Sequence, residues 1–250
     1  MRRFLTILLL CLVGATAVSA QKVRVMSYNV KNGIGMDGIK SIERCAAVIR
    51  KVQPDIVAIQ EVDSMTRRNK KYVLGELAKH AGYPHAYFGK AIPYQGGAYG
   101  IGVLSKEKAL SVKIYPLPCK REPRALLVVE FKKYYMLCTH LSGVAKRDGH
   151  GVQVDIVRDV VTKLDKPVIL AGDMNARPKS APMMALKEVA SVLTDESKFT
   201  APSHNPSKCI DHILGANGSF KVSKRCVMYN HLESDHLPIY VDVKIKKSRR

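Results

Sequence analysis

Pro167-Val168-Ile169-Leu170-Ala171-Gly172-Asp173-Met174-Asn175 decides how this chain is read. A short apolar run, opened by proline and closed by glycine, is too brief for an amphipathic helix and has the length of a buried strand. It ends on Asp173 and Asn175, so two polar side chains stand where the strand leaves the core.

The same grammar recurs on both sides. Val23 to Tyr28 alternates and stops at Asn29, and Asp55 to Gln60 is a buried run stopping at Glu61. Arg124 to Phe131 and Tyr134 to Thr139 form a hairpin through Lys132-Lys133, and its second strand delivers His140. Ala86 to Lys90, Ala98 to Leu104, Ile210 to Leu214, Phe220 to Tyr229 and Leu237 to Ile245 read as further strands. Between them, Ile39, Ile42, Cys45, Ala46, Ile49 and Val52 share one helix face, and Pro54 ends that helix. Tyr72 to Ala81, Val152 to Leu164 and Pro182 to Val192 read as helices. Strands and hairpins interleaved with helices predict an α/β fold of two packed sheets covered by helices.

Polar residues gather at the strand ends: Asn29, Glu61, His140, Asp173, Asn175, Asp211, Asp235 and His236. A strand end on a rigid sheet holds a side chain in place yet leaves it open to solvent. Several such ends at one sheet edge make a cleft.

The N-terminus has the pattern of an export signal. Arg2-Arg3 precedes an apolar run from Phe4 to Val13, and small residues end at Val18-Ser19-Ala20. Residues 1–20 are therefore expected to be a signal peptide and residues 21–250 one domain, periplasmic or secreted. The apolar run is shorter than the roughly 20 residues a membrane span needs, so no integral membrane segment is expected after cleavage. The net charge is +20, from 41 basic and 21 acidic residues; Arg2 and Arg3 leave with the signal, so the mature chain carries +18. Such a surface attracts polyanions. Aromatic residues are few and tryptophan is absent, which argues against a dedicated stacking reader of DNA. Five cysteines follow the signal, at 45, 119, 138, 209 and 226, an odd number with no CxxC pair; export permits a disulfide, and a structural zinc site is not expected.

Taken in order, Tyr28-Asn29-Val30, Gln60-Glu61-Val62-Asp63, Tyr99 to Ser105, Glu122-Pro123-Arg124, Thr139-His140-Leu141, Gly172-Asp173-Met174-Asn175, Ile210-Asp211-His212-Ile213 and Ser234-Asp235-His236-Leu237-Pro238 resemble the endonuclease/exonuclease/phosphatase superfamily. The resemblance runs from residue 23 to residue 244. It implies a four-layer α/β sandwich, two mixed sheets flanked by helices, and hydrolysis of a phosphate ester assisted by a metal. Glu61 is implied as the principal metal ligand, with Asn29 and Asp235 beside the same ion. Oxygen donors of this kind suit Mg2+, with Mn2+ or Ca2+ as alternatives, rather than zinc. Asp173 is implied to orient or deprotonate the attacking water, Asn175 to bind a phosphate oxygen, His236 to act as base or charge stabiliser, and Asp211 to orient His236. His140 resembles the second histidine of the deoxyribonuclease branch, although the glutamate that supports it there has no counterpart between Ala91 and Tyr99. Arg121 and Arg124 are the candidates for a phosphate contact.

The machinery does not name the substrate. Charge and export favour a nuclease or general phosphodiesterase, acting as a monomer on a polyanionic phosphate ester such as DNA or RNA. A phosphatase or a lipid phosphodiesterase is the alternative. A non-catalytic polyanion-binding module would have lost Glu61, Asp173, Asn175 or His236, and all four are present.

Overall fold

The computed structural model describes residues 21–143 and 150–247. The signal peptide expected at residues 1–20, and the end of the basic tail, lie outside the described residues. No described helix is long and apolar enough to cross a membrane.

Among the described residues, thirteen strands form two sheets. The first holds seven: β1 (Gln21–Asn29), β2 (Ile56–Thr66), β3 (Asn69–Tyr72), β4 (His85–Tyr94), β5 (Gly97–Ser105), β12 (Gly218–Val227) and β13 (Ile239–Lys247), in the order β12-β13-β1-β2-β5-β4 with β3 on β2. The second holds six: β6 (Ser111–Leu117), β7 (Arg124–Glu130), β8 (Tyr135–His140), β9 (Val168–Asp173), β10 (Ser191–Val192) and β11 (Asp211–Ala216), in the order β10-β11-β9-β8-β7-β6. Both sheets mix parallel and antiparallel pairs.

The sheets pack face to face because each strand alternates. Val23, Val25, Val241, Val243, Cys138, Ile169, Ala171 and Ile213 fill the gap between them. The other face of the first sheet, with Met26, Tyr28, Val57 and Ile59, packs on α1 (Ile42–Val52) and α2 (Val73–Ala81). The other face of the second, with Leu126, Leu137 and Leu170, packs on α3 (His150–Lys163) and α4 (Ala181–Lys187). This is the expected four-layer sandwich.

Four local expectations need correction. Ile39 lies outside α1 and is exposed, because Ser41 caps the helix by accepting the Arg44 N–H at 3.3 Å. The helix expected over Pro182 to Val192 stops at Lys187, and Ser191–Val192 joins the sheet edge as β10. The strand expected to end at Glu61 continues to Thr66 through a β-bulge. β3 and β6 were not among the expected strands: β3 is largely exposed lysine, Lys70 and Lys71, and in β6 the apolar Val112 and Ile114 are exposed on either side of Lys113. All five cysteines in the described residues are free thiols.

Candidate active site

Topology converts strand ends into a site. β1 and β2 run parallel, so Asn29, the last residue of β1, stands beside Gln60 of β2. β8 and β9 run parallel with His140 opposite Asp173, and β11 runs antiparallel to β9 with Asp211 opposite Asp173. His140, Asp173 and Asp211 thus occupy one rung. Alternation points all three the way Cys138, Ala171 and Ile213 point, into the gap between the sheets. Asn29 points into the same gap from the first sheet, in phase with Val23 and Val25. The apolar core therefore ends in a layer of polar groups.

Glu61 enters that layer because of the bulge. Ile59 and Val62 both face the helix layer, so one residue between them must be extra. Glu61 takes φ 57°, a left-handed conformation, and its Oε1 accepts the Asn29 amide at 3.0 Å. Asn29 also donates Nδ2 to Asp173 Oδ2 at 3.2 Å, while its Oδ1 accepts the Lys31 N–H at 3.1 Å. The Lys31 contact fixes which end of the amide faces the carboxylates.

Asp173 is the hub. Its Oδ1 accepts the Asn175 N–H at 2.9 Å, and its Oδ2 lies 3.4 Å from His140 Nε2 and 3.6 Å from His236 Nε2. His236 Nδ1 lies 2.9 Å from Asp211 Oδ2, which also accepts the Thr200 hydroxyl at 2.6 Å. Burial alone would lower the His236 pKa; the charge and hydrogen bond of Asp211, with Asp173 and Asp235, outweigh it and raise it to about 10. Burial pushes Asp173 up to about 7, helped by Asp211 and opposed by His236. At neutral pH the His236 ring is thus held as an imidazolium beside Asp211, while Asp173 shares its proton equilibrium with the solvent near pH 7.

The second histidine is the electrical opposite. Burial, Arg124 and His236 hold the His140 pKa well below the ordinary 6.5. Arg124 Nη1 lies 3.3 Å from His140 Nδ1, and since arginine only donates, that nitrogen accepts and the proton sits on Nε2, toward Asp173. Arg124 also pairs with Glu122 at 2.8 Å, while its buried Nε has no partner among the described residues.

The remaining expected residues lie around this core. Asn175, at φ 48°, donates Nδ2 to the Leu141 carbonyl at 2.9 Å. Asp235 pairs with Lys31 Nζ at 3.0 Å. Arg121 is exposed on the turn before β7. Sequence reading missed three supports. Thr200 holds Asp211. Ser234 donates to the Asn29 carbonyl at 2.6 Å, tying the Asp235–His236 loop to β1. Lys31 neutralises Asp235. Ser234 stands in the quoted motif with Asp235-His236 but was given no role; Thr200 had no sequence signal at all.

Among the described residues, Asp173, Asp211 and His236 form a group that could hold a cation, with ligand atoms within 4.8 Å of one another. The expected set of Glu61, Asn29 and Asp235 is not brought together in the same way: Asn29 turns its Nδ2 toward Glu61 and Asp173, and Asp235 pairs with Lys31. Carboxylate oxygen is the donor that hard divalent cations prefer.

The endonuclease/exonuclease/phosphatase family sequence profile matches residues 26–236, nearly the whole described chain. The chain belongs to that family. Like other members of the endonuclease/exonuclease/phosphatase family, it is a hydrolase of phosphate esters, and the family's chemistry depends on a metal. No curated protein matches the sequence. Solved structures do resemble it. A family protein from Beutenbergia cavernae DSM 12333 has a TM-score of 0.74 and 23% identity over 90% of this chain and 72% of that one. The mannosyl-6-phosphatase of Bacteroides thetaiotaomicron VPI-5482 has a TM-score of 0.67 and 16% identity over 88% of this chain and 99% of that one. The human Nocturnin catalytic domain with bound sulfate has a TM-score of 0.65 and 17% identity over 90% and 94%. At these identities the likeness concerns the fold.

Proposed function

We propose that this chain is a metal-dependent phosphodiesterase acting on nucleic-acid strands. The observation that carries the reading is the environment of Asp173 Oδ2, approached by His140 Nε2, His236 Nε2 and Asn29 Nδ2 within 3.6 Å, with Glu61 one hydrogen bond away. The cations near this point are already balanced: His236 by Asp211, Arg124 by Glu122, Lys31 by Asp235. Such a site favours the singly charged diester over a dianionic monoester. The +20 charge of the whole chain favours a polymer of such esters.

Glu61 and Asp235 would hold Mg2+, with Asn29 beside them; Mn2+ or Ca2+ satisfies the same oxygen donors. A bound divalent cation supplies charge neutralisation on the phosphoryl oxygens. Asn175, the Nε2–H of His140 and the unpartnered Nε–H of Arg124 donate to those oxygens, with Arg121 reaching the flanking phosphate. The proton of the attacking water passes to the Asp173–His236 pair, whose ring Asp211 and Thr200 keep in place. We also propose export, on the leader-like residues 1–20; N-terminal sequencing of the mature protein beginning at Gln21 would support it, and a retained Met1 would oppose it.

The test is a substrate panel with purified protein and Mg2+: plasmid DNA, single-stranded RNA, a phosphodiester dye, a phosphomonoester dye, sphingomyelin and inositol phosphates. Cleavage of nucleic acid and of the diester dye supports the reading. Turnover of the monoesters alone would replace it with a phosphatase.

A further inference from the structure

On the outer face of the first sheet, the helix-side core reaches Tyr240 of β13 and Cys226 of β12, and beyond it, toward the Lys244 end of β13, lies a lysine rung. Lys22 of β1 stands opposite Lys244 of β13, and Lys244 stands opposite Lys221 of β12. The next residue in each strand, Val23, Val243 and Val222, faces the inner core, so the three lysines share the outer face. Like charges directly opposite one another destabilise a sheet, and no carboxylate among the described residues lies within ion-pair distance of these three. An anion lying along the row relieves that repulsion.

A groove opens from this row. Lys22, Arg24, Gln53 and Lys244, with the carboxylates Asp55 and Asp242, line a space of ≈ 460 Å³ beneath the end of α1. It shares Arg24 with a second space of ≈ 440 Å³, lined by Lys51, Lys224, Tyr229 and His231. Tyr229 in turn lines a third, of ≈ 200 Å³, that reaches Thr200 and Asp211 behind His236. Three carboxylates along this route are already engaged; Asp195, which lines the third space, accepts the Ser197 N–H at 3.0 Å and its hydroxyl at 2.7 Å. Arg24 binds Asp242 at 2.6 and 2.9 Å, and Asp55 accepts the Arg24 N–H at 2.8 Å and Lys106 at 3.1 Å. The Tyr240 ring is covered by Arg24 and Lys224, each 5.3 Å from its centroid, whereas Tyr229 is 45% exposed.

We infer that this groove is a track for single-stranded nucleic acid, with phosphates on the Lys22–Lys244–Lys221 row and a base stacked on Tyr229 near the catalytic end. The row lies seven residues down β1 from Asn29, about 23 Å at the rise of a strand. A positively charged groove with an exposed aromatic is the arrangement that binds single strands without sequence preference. A flat bilayer cannot enter a groove under a helix end. The inference rests on the nucleic-acid reading of the site and adds where the polymer lies beyond the reacting ester.

The test is binding of a fluorescein-labelled thirty-nucleotide dT strand by anisotropy in chelator, which prevents cleavage, across a salt series. The triple variant K22Q/K221Q/K244Q should flatten the slope of log Kd against log salt by about 2, three contacts at roughly 0.7 each. Tyr229→Ala should weaken binding at least about fivefold. Phosphodiester-dye turnover should be unchanged in both, which also shows that they fold. An unchanged slope in the triple variant overturns the track, as does lysine-dependent binding to anionic vesicles without binding to the dT strand. Lysine-dependent strand binding by a wild-type protein that never cleaves the strand keeps the track and removes the nuclease reading.

Discussion

His236 Nδ1 and Asp211 Oδ2 lie 2.9 Å apart, and the far nitrogen of the same ring reaches Asp173 Oδ2 at 3.6 Å. One ring thus joins a carboxylate that is locked by Thr200 to a carboxylate at the head of the site. Its charge state follows from that geometry, and so does its sensitivity to substitution.

Asp211→Asn should separate charge from position. The amide keeps the shape and removes the negative charge that raises His236 toward 10. Turnover of a phosphodiester dye should fall by about 10²–10⁴, the range of a positioned acid or base. Substrate affinity should change far less, because Asp211 is buried and its carboxylate is taken up by His236 and Thr200. The ratio of kcat loss to KM change measures this.

The same pair predicts a pH signature of stability. His236 has a folded pKa raised from 6.5 to about 10, so its contribution is fully present below about pH 6.5 and is lost as pH rises toward 10. Asp173 is raised from 3.8 to about 7 and acts in the same sense over that lower window. In chelator, the Tm difference between wild type and Asp211→Asn should therefore shrink from pH 6 to pH 10. A difference that grows with pH would mean the ring is neutral.

His140 should behave oppositely. Nitrogen-edited NMR of the chelated protein should show His140 neutral, protonated on Nε2, through the range where an ordinary histidine titrates near 6.5. Arg124→Met would release the Nδ1 contact and move that pKa upward.

Arg68 holds the loop that carries Lys31. It pairs with fully buried Asp63 at 2.8 and 2.9 Å, donates to Asn32 at 2.7 Å, and lies over Tyr94 with its guanidinium carbon 4.5 Å from the ring centroid. Lys31 and Asn32 both have positive φ, so this loop needs external support. Arg68→Met should cost about 3 kcal/mol, the low end for stranding a buried charge because Arg68 is one-third exposed. Urea unfolding checks it.

How far the sequence disclosed this site can be argued from Asp173 and Thr200. Asp173 was legible because Val168 to Ala171 is apolar, ends at glycine, and needs no partner to be read as a strand. The site rung was not, because pairing of His140 and Asp211 with Asp173 depends on sheet order, a long-range property absent from local pattern. Thr200 sits in an irregular segment where threonine has no periodic meaning, and only its 2.6 Å bond to Asp211 reveals it. The bulge at Glu61 was invisible for a related reason. A glutamate with positive φ breaks alternation, and the apolar run before it reads as a strand that has ended.

Glu61 gives a metal prediction that is independent of turnover. Glu61→Gln keeps the side chain's size and removes its charge, so Mn2+ affinity by calorimetry should fall at least about 10- to 100-fold, the loss seen even for outer partners of a metal site.

The most direct measurement is hydrolysis of a phosphodiester dye by protein stripped of metal, with Mg2+ added back, for the wild type and Asp173→Ala. The proposed function predicts no turnover in chelator, recovery with Mg2+, and a loss of several orders of magnitude in the variant. Undiminished turnover by Asp173→Ala, or turnover indifferent to chelation, would contradict it.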